Sequence, residues 1–352
     1  MQNKFISFAD SIDLTLLKIF QQNKNTILIG LGANDPKNIF GTTRSIANKF
    51  PNRVFDMPLS ENSMTGVVIG ASLRGVRSIL VHQRMDFALL SLEQIINQAA
   101  KWYYMFDGKK SVPIVIRMIV GRGWGQGPQH SQSFHSLFSH IPGLKIVMPS
   151  SPESAKNLLY SSVLDPNPVI FVEHRWLHNI KSNFSNKLNK IKLGKSKILK
   201  RGKDITIVSC SYMTIEVLRI YDFLKKNNIA IELIDLQTVS PLDKDTIVKS
   251  VKKTKRVLVL DISHKSFGIS AEILATIFEK CHNSLRSPPS RITNPDIPTP
   301  TSFALTKYYY PNKNDICNEI FRMLGIKNNI DKEMSSKDYY QDQPFKDFTG
   351  PF

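Results

Sequence analysis

A chain of 352 residues with 41% apolar side chains has enough sequence to bury two cores, and 17 glycines with 19 prolines stay far below a low-complexity composition. Disorder and fibre are excluded. The formal charge of +18, from 47 Lys and Arg against 29 Asp and Glu, would suit a polyanion, yet the lysines are spread over both halves without interleaved aromatics. A solvated surface facing an acidic partner subunit is expected in preference to a nucleic-acid interface.

In chain order, Asp10 and Asp13 interrupt the apolar N-terminus, so no leader peptide is expected there. No apolar run reaches the ~18 residues that span a bilayer, and a cytoplasmic place is expected. Thr26–Leu31 reads as a buried strand, Thr43–Lys49 as a helix, Arg53–Phe55 as a short strand and Met64–Leu73 as a helix of small residues. A strand at Ser78–Val81, a helix over Leu90–Phe106 and strands at Val112–Met118 and Lys145–Met148 follow. Ile180–Lys203, polar and lysine-rich, reads as a linker. Beyond it come strands at Ile205–Ser209, Ile229–Asp235 and Arg256–Asp261, alternating with helices at Thr214–Lys226, Asp243–Val251 (capped by Ser240 and Pro241) and Ala271–Lys280. Strand-then-helix order twice over predicts an α/β protein of two parallel-sheet, Rossmann-like domains. They are expected at 1–185 and 204–326, joined by a linker at 186–203 and followed by an aromatic tail at 327–352. The cysteines Cys210, Cys281 and Cys317 share no C-x-x-C spacing, which suits a reducing compartment.

Chemistry-bearing residues are few. Glu61 follows a short strand and Pro58 and precedes a helix with Gly66, Gly70 and Ala71, so it sits where α/β folds bind ligands. The same spacing would equally make it a helix cap. His130 closes a loop in which Gly121, Gly123, Gly125 and Gly127 alternate with larger residues, leaving backbone free to approach a ligand. His135 and His140 follow at five-residue steps, on different helical faces, which disfavours a metal cluster. No phosphate cradle of the G-x-x-x-x-G-K-S/T type and no strand-to-helix G-x-G-x-x-G is present, nor a Gly-Asp-Gly metal loop.

Asp56-Met-Pro-Leu-Ser-Glu61, Leu92-Glu-Gln-Ile-Ile-Asn-Gln-Ala-Ala-Lys101, Gly127-Pro-Gln-His-Ser-Gln132, Pro142-Gly-Leu-Lys145, Asp165-Pro-Asn-Pro168 and Ser270-Ala-Glu-Ile273 stand in that order. Together they resemble the beta subunit of the thiamine-diphosphate-dependent first component of 2-oxo acid dehydrogenases (pyruvate dehydrogenase type), in the transketolase superfamily. The resemblance implies a pyrimidine-binding domain followed by a transketolase C-terminal domain. It also implies an alpha subunit carrying the diphosphate and Mg2+ loop, assembly with a second beta subunit into a heterotetramer, and a lipoyl acyltransferase as acceptor. Glu61 is then the carboxylate on the cofactor's pyrimidine nitrogen, with Leu59, Gln83 and Phe87 around the ring and His130 as the catalytic histidine. A potassium site from the carbonyls of Ile114, Ser162, Asp165 and Asn167 is implied too, against the simpler reading of a tight turn at Asp165-Pro-Asn-Pro168.

Departures from the family pattern bear on substrate. His82-Gln-Arg-Met-Asp-Phe87 brings Arg84 and Asp86 to a stretch that is usually apolar, and Arg122 and Trp124 enlarge and charge the histidine loop. A guanidinium there suits a carboxylate or phosphate, and equally a partner subunit. The expected activity is 2-oxo acid decarboxylation with acyl transfer. The alternatives are a two-component transketolase or acyloin synthase acting on a sugar or sugar nucleotide, and a non-catalytic scaffold or nucleic-acid binder. Five aromatics between Tyr339 and Phe352 lead to the expectation that the tail packs on a partner subunit.

Overall fold

The computed structural model describes residues 4–123 and 125–326, so Trp124 and the tail expected at 327–352 lie outside the described residues. Two compact units emerge: residues 4–121 with 130–193, and residues 122–129 with 194–326.

The first unit opens with β1 (Lys4–Ser7) and α1 (Phe8–Gln22), whose cap is the Ser7 hydroxyl accepting from the Asp10 amide at 3.1 Å. Phe8, Ile12, Leu16, Ile19 and Phe20 are buried at helical spacing, which makes α1 a core helix. There follow β2 (Thr26–Gly30), α2 (Arg44–Lys49), β3 (Val54–Phe55), α3 (Glu61–Leu73), β4 (Arg77–His82) and, after a broken helical stretch, α4 (Trp102–Met105). The unit continues through β5 (Ile114–Val120), α5 (His135–Ser139), β6 (Lys145–Val147), α6 (Pro152–Leu164), β7 (Val169–His174) and β8 (Lys181–Phe184). Within the unit six strands run parallel in the order β6-β7-β5-β4-β2-β3. Every residue of β5 and β7 is buried, as a parallel sheet covered on both faces demands.

The second unit contains β9 (Lys197–Lys200), β10 (Ile205–Ser209), α7 (Tyr212–Lys226), β11 (Ile231–Asp235), β12 (Thr238–Ser240), α8 (Lys244–Thr254) and β13 (Val257–His264). It closes with α9 (Ile269–Cys281), β14 (Ser290–Asn294), α10 (Phe303–Tyr309) and α11 (Lys313–Leu324). Its sheet order is β14-β13-β10-β11-β9, parallel except for β9, which pairs antiparallel at the edge. The expected pair of α/β domains is therefore present.

Three local readings change. The segment read as a linker is structured at both ends: β8 pairs antiparallel with β1, and β9 joins the second sheet. Strand alternation alone could not find them, because both are half exposed and lysine-rich. The single helix expected over 90–106 is instead a 3-10 segment at Met85–Ser91, a π-helical turn at Gln94–Ala99 and α4. The widened turn ends where Gly143, at φ +99°, presses on the chain: a Cβ there would lie 2.0 Å from the Ala100 carbonyl oxygen. Finally, α8 is capped by Asp243, whose carboxylate accepts from the Thr246 amide and hydroxyl, and not by Ser240 and Pro241. The three cysteines are buried and free.

Candidate active site

The carboxyl end of the first sheet is tied together by short polar contacts. The β2–α2 turn begins at Gly32, at φ +72°, whose amide donates to Asp56 Oδ1 at 2.7 Å. Gln83, just past β4, donates from Nε2 to the Leu31 carbonyl at 2.7 Å, and a Cβ on Gly32 would sit 2.5 Å from that nitrogen. Only glycine accommodates both the backbone conformation and the close approach of Gln83.

Asp56 Oδ1 also accepts from the Met57 amide at 3.0 Å, which fixes the segment carrying Leu59 and Glu61. Glu61 is the first residue of α3 and Ser60 occupies the cap position, so the capping reading does not hold. Glu61 is only 8% exposed, and its carboxylate has no hydrogen-bond or ion-pair partner among the described residues. A carboxylate so placed keeps its acceptor capacity for a ligand. Leu59, two residues earlier, is 79% exposed, an apolar side chain offered to something outside this chain's own core. The Thr65 hydroxyl bonds both the Glu61 carbonyl (2.7 Å) and the Ser91 hydroxyl (3.0 Å), locking α3 to the 3-10 segment.

That segment presents Phe87, and His130 meets it edge-on, with centroids 5.5 Å apart at 89°. Gln132 donates to Asp86 Oδ1 from its side chain at 2.8 Å and from its backbone at 3.3 Å, while the Phe134 amide points to Met85 Sδ at 2.9 Å. The loop bearing His130 is thus pinned to the residues around Phe87, with the imidazole itself left exposed. Gln83, Phe87, Asp86 and His130 are brought together, and Asp86 acts as a tether.

Arg84 is buried and donates from Nη1 to the Gln83 carbonyl at 2.8 Å; its Nε has no acceptor. Its guanidinium lies 5.2 Å from the Phe40 ring centroid, and that of Arg175, after β7, lies 4.6 Å from the same centroid. Burial lowers the Arg84 pKa, opposed by Asp86, whereas burial together with the Arg84 charge pushes Arg175 down to about 9. Phe40 ends a run with Asn38 and Ile39 at φ 45–57°, a left-handed path that costs roughly 1–2 kcal/mol per non-glycine residue. Ile39 is buried, and the Thr42 and Thr43 hydroxyls bond the Ile39 and Ala33 carbonyls at 2.9 and 3.0 Å, which holds the run in place.

A second buried guanidinium system lies in the sheet. Arg117 of β5 donates from Nε and Nη2 to the two oxygens of Glu173 at 2.5 and 3.0 Å, and from Nη2 to Thr42 at 2.9 Å. Burial acts to raise Glu173, but the Arg117 charge and the hydrogen bonds from His178 and Arg117 outweigh it and hold the carboxyl below its usual range. Burial pushes both His82 and His178 down to about 4, so each is neutral at physiological pH. Sequence reasoning missed Arg175 and Phe40. Arg175 stood just past a run, Val169–His174, whose position at a strand's carboxyl end was the available signal.

Arg122 belongs to the second unit, its guanidinium 4.1 Å from the Tyr310 ring centroid and 5.2 Å from that of Tyr212. The segment carrying the carbonyls considered for potassium forms a tight turn. Asp165 Oδ1 accepts from the Asn167 amide at 3.0 Å, Oδ2 meets Lys145 Nζ at 2.6 Å, and the Asp165 amide donates to the Ser162 carbonyl at 3.2 Å. Arg77 Nη1 donates to the carbonyls of Val163 and Asp165 at 2.7 and 3.1 Å. Ile114 lies in β5, paired with Ser78.

Comparison with known proteins matches the chain to two families in succession: "Transketolase, pyrimidine binding domain" over residues 6–180 and "Transketolase, C-terminal domain" over residues 194–316. The acetoin:2,6-dichlorophenolindophenol oxidoreductase subunit beta of Cupriavidus necator is 38% identical, covering 81% of this chain and 86% of its own. The mitochondrial pyruvate dehydrogenase E1 component subunit beta-2 of Oryza sativa subsp. japonica is 33% identical over 89% of this chain and 85% of its own. A solved split gene transketolase, an inactive beta4 tetramer, superposes with a TM-score of 0.74 over 92% of this chain and 99% of its own, at 20% identity, a likeness of fold.

Proposed function

The chain belongs to the transketolase superfamily, in the beta-subunit family of pyruvate dehydrogenase E1 and acetoin oxidoreductase, and from that premise we propose that it is the beta half of a thiamine-diphosphate enzyme that decarboxylates a 2-oxo acid and transfers the acyl unit. The observation that carries this reading is Glu61, a buried carboxylate at the start of α3 with no partner of its own. Glu61, Leu59, Gln83 and Phe87 fit one end of a flat heteroaromatic ring: a carboxylate for a ring nitrogen, apolar surface for its faces, and an amide held rigidly nearby. When bound, thiamine diphosphate supplies the acidic ring carbon that serves as nucleophile toward the 2-oxo group.

Glu61 would hold the proton at the pyrimidine nitrogen and so set which tautomer of the ring is present. His130, exposed and braced against Phe87, would deliver or accept a proton at the substrate oxygen. The diphosphate and Mg2+ are assigned to an alpha subunit, since this sequence contains no Gly-Asp-Gly loop. Two alpha and two beta subunits and a lipoyl acyltransferase acceptor complete the proposal. No step is routed through potassium.

A second reading, a transketolase or acyloin synthase with an anionic acceptor, is favoured by the buried arginines around Phe40. The test is reconstitution with an alpha-type subunit, scoring thiamine diphosphate binding, CO2 release from pyruvate, and transfer to a lipoyl or an aldehyde acceptor. Glu61→Gln is expected to lose at least ~10²-fold in turnover with its fold unchanged. Full turnover in that variant overturns the role of Glu61, and transfer only to the aldehyde selects the second reading.

A further inference from the structure

The second sheet ends in a strand whose outer edge is open. β14 pairs with β13 alone, and all five of its residues are half-exposed, whereas β13 is buried up to its last residue. A cavity of about 500 Å³ lies against it, lined by every residue from 291 to 295, by residues 307–311, and by Lys265 and Asp315. Successive residues of a strand point to opposite faces of its sheet, so a space that touches residues 291–294 in a row runs along the strand's edge and not over one face. That edge carries the N–H and C=O groups that β13 does not take, and no other backbone group among the described residues bonds them. Lys265 and Lys307 are exposed and Arg291 is half-exposed, and none of the three has an ion-pair partner among the described residues. Arg291 Nη1 donates to the Lys265 carbonyl at 2.9 Å, and Lys307 Nζ stands 4.7 Å from the Tyr308 ring centroid. Against these cations the lining sets one carboxylate, Asp315, which accepts from the Asn312 amide at 2.8 Å as part of the α11 cap. Tyr309 is buried, accepts from the Thr299 hydroxyl at 3.0 Å and meets the Tyr310 ring at 4.8 Å, so the tyrosine wall is fixed before anything binds.

We infer that the free edge of β14 is a docking site for an extended, acidic peptide segment of another protein chain, which adds a strand to the second sheet. The open edge supplies main-chain hydrogen bonds along the segment, and Lys265, Arg291 and Lys307 supply charge-assisted ones to its carboxylates. Charge also decides against a second copy of this chain as occupant. Edge-to-edge pairing about a two-fold axis sets each group of cations beside its own like, and like charges across a strand pair are destabilising. Lysines on an edge strand discourage pairing between identical chains, and the same lysines select a strand of opposite charge. A small free anion uses the cations and leaves the strand edge unpaired. The inference concerns the second unit alone and stands whether or not the thiamine-diphosphate reading holds.

Titration calorimetry of the full chain with three blocked octapeptides at matched ionic strength tests this. One alternates glutamate with threonine, one replaces each threonine by proline, and one replaces each glutamate by lysine. The glutamate–threonine peptide should bind saturably and the lysine peptide should not. The proline peptide should bind at least ~10-fold more weakly than the first, because proline keeps the charge but shortens the supply of backbone donors to the edge. Amide hydrogen exchange at residues 291–294 should slow in the saturated complex. Reversing two exposed charges together, Lys265→Glu with Lys307→Glu, should weaken the glutamate–threonine peptide at least ~10-fold while the circular dichroism of the chain stays unchanged. Equal binding of the two acidic peptides reduces the site to charge alone and overturns strand addition. Absence of binding, binding of the lysine peptide as tight as that of the glutamate–threonine peptide, or a complex in which exchange at residues 291–294 is unaltered overturns it as well. Self-association of the full chain that the peptide displaces gives the edge to a second copy and overturns the acidic partner.

Discussion

Arg117 and Arg84 are buried to a similar depth in the same unit, yet they are furnished differently. Around Arg117 the sheet supplies a bidentate carboxylate, a threonine hydroxyl and, 3.5 Å from the far oxygen of that carboxylate, the His178 ring. Around Arg84 it supplies a carbonyl, an aromatic face and the charge of Asp86 without a carboxylate hydrogen bond; each arginine keeps one nitrogen without an acceptor, Nε in Arg84 and Nη1 in Arg117. The same contrast separates Glu173, saturated with donors, from Glu61, which has none on its carboxylate. Charges in the middle of β5 and β7 are paired across the sheet, whereas Glu61 and Arg84, near the strand ends, keep polar atoms without a hydrogen-bond partner among the described residues. Pairing of that kind is what makes a buried charge tolerable.

The contrast is sharpest at Glu173. Glu173→Gln leaves Arg117 buried with its bidentate partner gone, and unfolding in urea should show a loss of about 3–5 kcal/mol; a loss below ~1 kcal/mol would erase the distinction between the two arginines. His130→Ala should behave in the opposite way. In the reconstituted enzyme its rate should fall ~10²-fold, while its urea midpoint stays within ~0.5 kcal/mol of the parent. An unchanged rate would return His130 to a surface residue stacked on Phe87.

The smallest effect concerns acid. His82 and His178 have folded pKa values near 4, below the ordinary 6.5, so the folded state favours their neutral form. Their contribution is complete above pH 6.5 and is lost as pH falls from there toward 4, at about 1.4 kcal/mol per pH unit for each proton taken up. Glu173, held below its usual value, adds a further loss once pH drops under about 4.5. His82→Phe should remove one proton from the first limb and reduce its slope between pH 6 and 4.5 by up to that amount per unit. An unchanged slope would show that His82 is protonated in the folded protein.

Period and punctuation in the sequence were enough to read β2 to β6, β10, β11 and β13, and the position of Glu61 and His130 beside them, but neither β7 nor β14. What escaped had specific causes. The π turn at Gln94–Ala99 keeps Ile95 and Ala99 buried, as a continuous helix would, so the apolar pattern is blind to it. β8 and β9 are half-exposed lysine-bearing strands whose pairing is long-range, and their composition is that of a loop. α1 carries a readable helical stripe, masked in the sequence by the aspartates Asp10 and Asp13 that interrupt its apolar residues. Phe40 and Arg175 lie more than 130 positions apart in the chain, and only the parallel register that sets β7 beside β5 and β4 beside β2 brings them to one ring. Arg122 has aromatic neighbours likewise distant in sequence, Tyr212 and Tyr310.

The histidine loop's first half, residues 122–129, counts with the second unit, although the chain on either side of it counts with the first. The backbone therefore passes from one unit to the other at 121/122, at 129/130 and again at 193/194. A gene divided at the apparent linker would not yield two self-sufficient fragments. The amino-terminal product would end without the partner sequence that receives Arg122, and the carboxy-terminal product would lack the octapeptide whose Gly127 lies so close to Thr301 that a Cβ would stand 2.5 Å from its hydroxyl. Fragment complementation, limited proteolysis and domain shuffling on this scaffold must all respect three seams, of which the lysine-rich stretch is only the last.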